Sequence, residues 1–168
     1  MEHPVRKNVR LEGWDYSSEG YYYLTICAKD MQCVFGDIFV RDGVHDVPRV
    51  ALSPIGMVVE NRLMEMERVY PEIRIDKYCI MPNHLHLIVA LTYGASRTPP
   101  RTNGGRANQR IPAFVSTLKR MTNRECGQTL WHRSYYDHII RNETDYQRIW
   151  QYIDTNPARW QTDDYYKG

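Results

Sequence analysis

Two histidines separated by a single residue, His84 and His86 in the run HLHLIVAL, have the type and spacing to hold a metal ion. Alternate side chains of a strand share a face, so both imidazoles project together while Leu85 points the other way. Neutral imidazoles bind divalent transition metals, and two of them leave coordination positions open for water or a phosphate oxygen. The plain alternative is a pair of histidines satisfied by hydrogen bonds beside a turn. Further along, Tyr152 and Asn156 are four residues apart, which in an α-helix stacks them on one face a turn from each other. A phenol ionises only at about pH 10, so a tyrosine nucleophile needs help in losing its proton. On spacing alone, Tyr152 is one of thirteen tyrosines and Asn156 an ordinary residue at a helix end before proline.

A strand must present the histidines and a helix the tyrosine. Tyr21 to Ala28 (YYYLTICA) is aromatic and β-branched and predicts a first strand, with Cys33 to Val40 as a short hairpin partner. Ser53 then Pro54 open a helix that carries Ile55, Val58, Val59, Leu63 and Met66 at helical steps and ends near Tyr70 and Pro71. Glu72 to Met81 and His84 to Leu91 predict a central β-hairpin turning at Pro82 and Asn83. Pro112 to Cys126 places Phe114, Val115, Leu118 and Met121 on one face of a second helix, ended by Gly127. Thr129 to Arg141 is strand-like, and Asn142 with Asp145 resembles a capping box opening a third helix, which Pro157 should stop after Asn156. The order predicts an α+β fold, a ferredoxin-like split βαβ antiparallel sheet with an additional C-terminal helix carrying Tyr152. RNA-recognition-type sheets share that order, so function must be argued from particular residues.

The 168 residues suit one domain, spanning 1–168, and can bury a core without disulfides. With 42% hydrophobic and 25% charged residues, the composition excludes neither enzyme nor binding module but does exclude a disordered chain. There is no apolar signal core at the first residues and no membrane-length apolar run. The cysteines Cys27, Cys33, Cys79 and Cys126 form no CxxC pair, so a cytoplasmic protein with free thiols is expected. A formal charge of +2 identifies no nucleic-acid binder, yet from Tyr93 to Thr117 there are four arginines, Arg97, Arg101, Arg106 and Arg110, and no acid. A mobile basic loop over 93–110 is therefore expected, either attracting phosphates or simply solvated. Lys119, Arg120 and Arg124 could follow a DNA backbone or form a solvated helix face. Trp131, Arg133, Tyr135, Tyr136, His138 and Arg141 mix stacking with phosphate-binding capability, while a core role is the alternative for Trp131, Tyr135 and Ile139.

The segment MPNHLHLIVAL resembles the His-hydrophobic-His strand of the HUH single-tyrosine transposases, particularly the REP-associated tyrosine transposases. Leu130 to Pro157 (LWHRSYYDHIIRNETDYQRIWQYIDTNP) is similar to that family's C-terminal signature, a Trp-x-Arg-x-aromatic segment leading into a helix that ends Tyr-Ile-x-x-Asn-Pro. With the order of elements, the resemblance covers roughly Tyr21 to Pro157 and has no counterpart for the basic loop. It implies that His84 and His86 are metal ligands, that Tyr152 is the nucleophile, and that Asn156 stands where relatives use Gln or Asn as a third ligand. The implied ion is Mg²⁺ or Mn²⁺, and the implied partner is single-stranded or hairpin DNA, handled by a monomer or a homodimer.

The implied reaction is cleavage and strand transfer through a 5′-phosphotyrosine, which conserves the energy of the broken bond. Helical geometry agrees on the tyrosine: Tyr146 projects about 120° away from Tyr152, whereas Asn156 lies within about 40° of it. Tyr135 and Tyr136 fall on the preceding strand, from which a tyrosine would face the metal only in a different sheet arrangement. Two other readings compete. One is a noncatalytic nucleic-acid-binding ferredoxin-like module, and the other a metal-dependent phosphodiester hydrolase in which water attacks.

Overall fold

In the computed structural model, residues 11–40, 47–94 and 109–166 are described, so the expected basic loop, with Arg97, Arg101 and Arg106, lies outside the described residues except at its ends. One antiparallel sheet has the strand order β4 (Ile73–Met81), β5 (His84–Leu91), β1 (Gly20–Cys27), β6 (Tyr136–Ile140). Helices α1 (Pro54–Val69) and α2 (Arg110–Cys126) make the two crossovers, and α3 (Glu143–Thr155) follows the last strand. This is the expected ferredoxin-like arrangement with a C-terminal helix added.

Alternation along the strands divides the molecule into two layers. Leu24 and Ile26 of β1 and Leu85, Leu87 and Val89 of β5 point to one face, where they meet α1 and α2 in the main core. Tyr23 of β1, Ile88 of β5 and Ile140 of β6 point to the other face and pack against Ile149 and Ile153 of α3. β5 is buried along its whole length, as expected of a central strand covered on both sides. Each such leucine stabilises the fold by roughly 1.5–3 kcal/mol. The parity that sends Leu85 and Leu87 into the main core sends His84 and His86 to the α3 side.

Local chemistry sets the ends of the helices. The Ser53 hydroxyl accepts the Gly56 N–H at 3.0 Å, and Pro54 occupies the first turn, where its missing N–H costs nothing. Gly56 is needed because a Cβ there would overlap the Phe35 carbonyl. Gly127 closes α2 in the left-handed region at φ 64°. The Asn142 side chain accepts the Asp145 N–H at 2.8 Å and so caps α3.

Two expectations are corrected. The segment after Cys33 does not pair with β1, both edges of which are taken by β5 and β6. Instead β2 (Gly36–Phe39) pairs with β3 (Arg49–Leu52) in a separate two-stranded sheet. The strand expected over Thr129 to Arg141 shrinks to β6, preceded by one isolated bridge between Ala28 and Trp131. The chain between them is diverted: Trp131 turns into the core, and Lys119 Nζ donates to the carbonyls of His132, Arg133 and Ser134. α3 does stop ahead of Pro157, with Asn156 as its C-cap, and the chain continues beyond it as a 3₁₀ helix, Asn156–Thr162, whose first turn accommodates proline.

Candidate active site

His84 and His86 are both fully buried, with their Nε2 atoms 2.8 Å apart. Their outer nitrogens are held from behind. His84 Nδ1 lies 2.8 Å from the Asn83 side-chain oxygen, and the Asn83 amide nitrogen donates to the carbonyls of Met31 and Tyr165. Those two bonds define the amide orientation, so His84 Nδ1 carries the proton and its Nε2 presents a lone pair. His86 Nδ1 lies 2.9 Å from the Tyr23 hydroxyl and 3.0 Å from the Thr25 hydroxyl, which fix the ring. A bulge in β4 between Ile75 and Lys77 shifts its register, so that Cys79 faces His86 and Met81 faces His84 across the β4–β5 hairpin.

Asp163, beyond the 3₁₀ helix, completes the cluster: one ligand atom from each of His84, His86 and Asp163 lies within 4.8 Å of the others. Its Oδ2 accepts from Asn156 Nδ2 at 2.6 Å and from the Tyr152 hydroxyl at 3.3 Å, while Oδ1 accepts the Tyr165 N–H at 2.7 Å. Asn156 is buried, and its Oδ1 has no hydrogen-bond partner, which is costly unless something positive meets it. Two imidazoles, a carboxylate and an unsatisfied amide oxygen form a mixed N/O donor set suited to a divalent cation. Asp163 was not among the residues expected from the sequence, because the 3₁₀ helix that carries the chain from Asn156 to it has no signal in the residues after Pro157. An acid eleven residues past Tyr152 carries no motif of its own.

Burial pulls the His84 pKa down to about 4 against the opposing charge of Asp163, and it pulls His86 well below its usual range with His84 adding to the effect. Both rings are therefore neutral near pH 7, the form that binds metals. The Tyr152 ring meets His86 edge-on with centroids 5.3 Å apart. Burial and then the Asp163 charge raise its pKa, so without a cation nearby the phenol keeps its proton. Tyr165 is a third tyrosine at the site beside Tyr23 and Tyr152, its ring 4.7 Å from that of His84 and its pKa pushed up to about 12, chiefly by burial.

The structure places His84, His86, Tyr152 and Asn156 in one cluster, together with Asp163 and Tyr165. The remaining candidates lie elsewhere. Arg110 Nε is 3.1 Å from Glu72 Oε1, an ion pair by distance without hydrogen-bond alignment. Lys119 holds the 132–134 loop, and Arg120 and Arg124 are exposed on α2, on the far side of the sheet from the histidines. Trp131 is a core residue whose indole donates to Thr122 at 2.7 Å and packs on Phe35, while Arg133 is exposed. Tyr136 is opposite Thr25 in the sheet and therefore shares the histidine face without any change of sheet arrangement.

Comparison with known proteins agrees with this architecture. No family model matches the chain. A solved structure of a REP-associated tyrosine transposase bound to a REP hairpin superposes with a TM-score of 0.62 at 18% identity, over 89% of this chain and 74% of that one. An uncharacterized protein of Haemophilus influenzae is 34% identical over 176 aligned residues, covering 96% of this chain and 93% of the relative. The chain thus belongs to the same family as that Haemophilus influenzae protein and has the fold of the REP-associated tyrosine transposase.

Proposed function

We propose that the chain is a metal-dependent, single-strand DNA endonuclease and strand transferase of the tyrosine transposase kind, with hairpin DNA as its partner. The observation that carries the reading is the Tyr152 hydroxyl 3.3 Å from Asp163 Oδ2, with that carboxylate inside the histidine cluster. The shared fold with a transposase that was solved on a REP hairpin supports the same substrate class. His84, His86 and Asp163 would hold the ion, with Asn156 Oδ1 as a further donor. A bound Mg²⁺ or Mn²⁺ would offset charge on a nonbridging phosphate oxygen and on the departing oxygen.

The chain's own part is positional. α3 fixes the phenol at the cluster, and attack by the Tyr152 oxygen on phosphorus forms a 5′-phosphotyrosine while the bond to the 3′ oxygen breaks. The phenolic proton has Asp163 Oδ2 as its acceptor in the ground state, and the leaving oxygen departs as a 3′-hydroxyl after taking a proton. Reversal with another 3′-hydroxyl rejoins strands without a nucleotide cofactor. The test is incubation with Mn²⁺ and end-labelled hairpin single strands, followed by a denaturing gel and mass spectrometry. Wild type and Tyr165→Phe should both yield a protein-linked strand, and Tyr152→Phe none. Cleavage without an adduct would instead indicate attack by water, and an adduct on Tyr165 would move the nucleophile.

A further inference from the structure

Open space on the α3 side of the sheet extends well past the tyrosine. A cleft of about 770 Å³ has Tyr23 and Thr25 of β1 and Tyr136 and His138 of β6 as its floor, and α3, with Arg148 and Tyr152, as a wall. Register explains the floor, because Tyr23 faces His138 and Thr25 faces Tyr136 on adjacent strands. A second cavity of about 500 Å³ adjoins it, sharing Tyr136 and His138 and continuing to Arg141. β6 is an edge strand of the sheet, so the two cavities together form a groove that crosses a sheet edge and leads to Tyr152.

The residues in this groove have the chemistry of a single-strand binder. Tyr136 is 44% exposed on its floor, and its ring meets that of Tyr23 edge-on at 6.2 Å. Arg148, its side chain 71% exposed, has one guanidinium nitrogen on Asp145 at 2.7 Å, which leaves other donors free in the fork. Arg159 also lines the larger cleft, where the two guanidinium groups face one acid, Asp164. The second cavity adds Arg141 and the acids Glu12, Asp137 and Asp145. Asp145 is paired with His138 and Arg148, and Asp137 accepts from the Tyr16 hydroxyl, so the phosphate-binding part of the groove is the end beside Tyr152. Unpaired bases stack on aromatic rings whatever their sequence, while arginines follow the backbone; bases paired in a stem have no free face to offer.

We propose that this groove is the track for the single-stranded segment flanking the cleaved phosphodiester, with Tyr136 as a base-stacking platform and Arg148 and Arg159 as phosphate contacts. The inference rests on the strand-transferase reading above. A protein strand adding to β6 is the competing occupant, but it would use the edge backbone and have no need of the Tyr136 ring or the guanidinium groups.

The test uses the full chain carrying Tyr152→Phe, titrated by fluorescence anisotropy with two hairpin oligonucleotides, one with a single-stranded tail and one blunt. Adding Tyr136→Ala should weaken binding of the tailed hairpin by about fivefold or more, leave the blunt one unchanged, and leave the melting temperature unchanged. Tyr136→Trp should retain the affinity, since stacking needs a ring and not the hydroxyl. Arg148→Gln and Arg159→Gln should each lower the salt dependence of tail binding by about 0.7 in log–log slope. Unaltered affinity of Tyr136→Ala for the tailed hairpin, or equal losses on tailed and blunt hairpins, overturns the track. Nicking by the wild-type protein in a parallel reaction then leaves the strand-transferase reading standing. If the parent binds neither oligonucleotide and wild type does not nick, both fall together.

Discussion

The histidine pair carries a measurable consequence of being buried. Folding lowers the His84 and His86 pKa values below their unfolded value of about 6.5, so between that value and about 4 the unfolded chain binds more protons than the folded one. The sign follows directly: stability is fully present above pH 6.5 and is lost as pH falls through that window. Metal-free protein should therefore show a falling melting temperature from pH 6.5 towards 4, and the fall should be smaller in His84→Ala. An equal fall in that variant would assign the titration to other groups. At the same scale, Asp163→Ala should weaken Mn²⁺ binding by about tenfold or more, with Asn156→Ala following through the lost hydrogen bond and the lost amide oxygen. Calorimetric titration measures both, and unchanged affinity in the Asp163 variant would remove it from the ligand set. Only the histidines and the Tyr152–Asn156 pair were legible here from spacing, because a strand and a helix have fixed side-chain periods. Asp163 was not, since its approach depends on how the chain turns after α3.

α3 connects Tyr152 to the sheet, and its start is capped by the Asn142 side chain. Asn142→Ala removes the bond to the Asp145 N–H and should cost about 1 kcal/mol, read as a lower urea midpoint with an unchanged slope. Asp145 is also paired with His138 and Arg148, so an undiminished midpoint would show that these contacts hold the first turn without the cap. The element assignments from sequence hold where local chemistry is strong: the capped starts of α1 and α3, the glycine end of α2, and the β4–β5 hairpin. They fail at β2 and β6, where strand-like residues had several conceivable partners and long-range pairing chose among them. Local propensity has no term for an edge already occupied by another strand.

For the molecule as a whole, a cation at this site would join β5 to the segment after α3, which are distant in sequence. A ligand that binds only the folded state adds about 2.7 kcal/mol at a hundredfold excess over its Kd. Mn²⁺ should accordingly raise the melting temperature of wild type, and this shift should disappear in His84→Ala and His86→Ala. An equal shift in those variants would place the binding elsewhere. Among the described residues no helix is long and apolar enough to cross a membrane, and the two layers instead bury their apolar faces against one sheet.

The sequence by itself determined the split βαβ order, the shared face of His84 and His86, and the one-turn spacing of Tyr152 and Asn156, all of which follow from repeat geometry within single elements. Tertiary structure decided the rest. Docking of α3 on the β5 side of the sheet set the tyrosine against the histidines, and the continuation of the chain through Pro157 delivered Asp163 and Tyr165 to the same point. It also took Trp131 into the core, tied Lys119 and Arg110 to partners within the protein, and left Tyr136 on the open floor of the groove. Those outcomes depend on which surfaces meet when the layers close, and the periodicity of a single strand or helix cannot encode that.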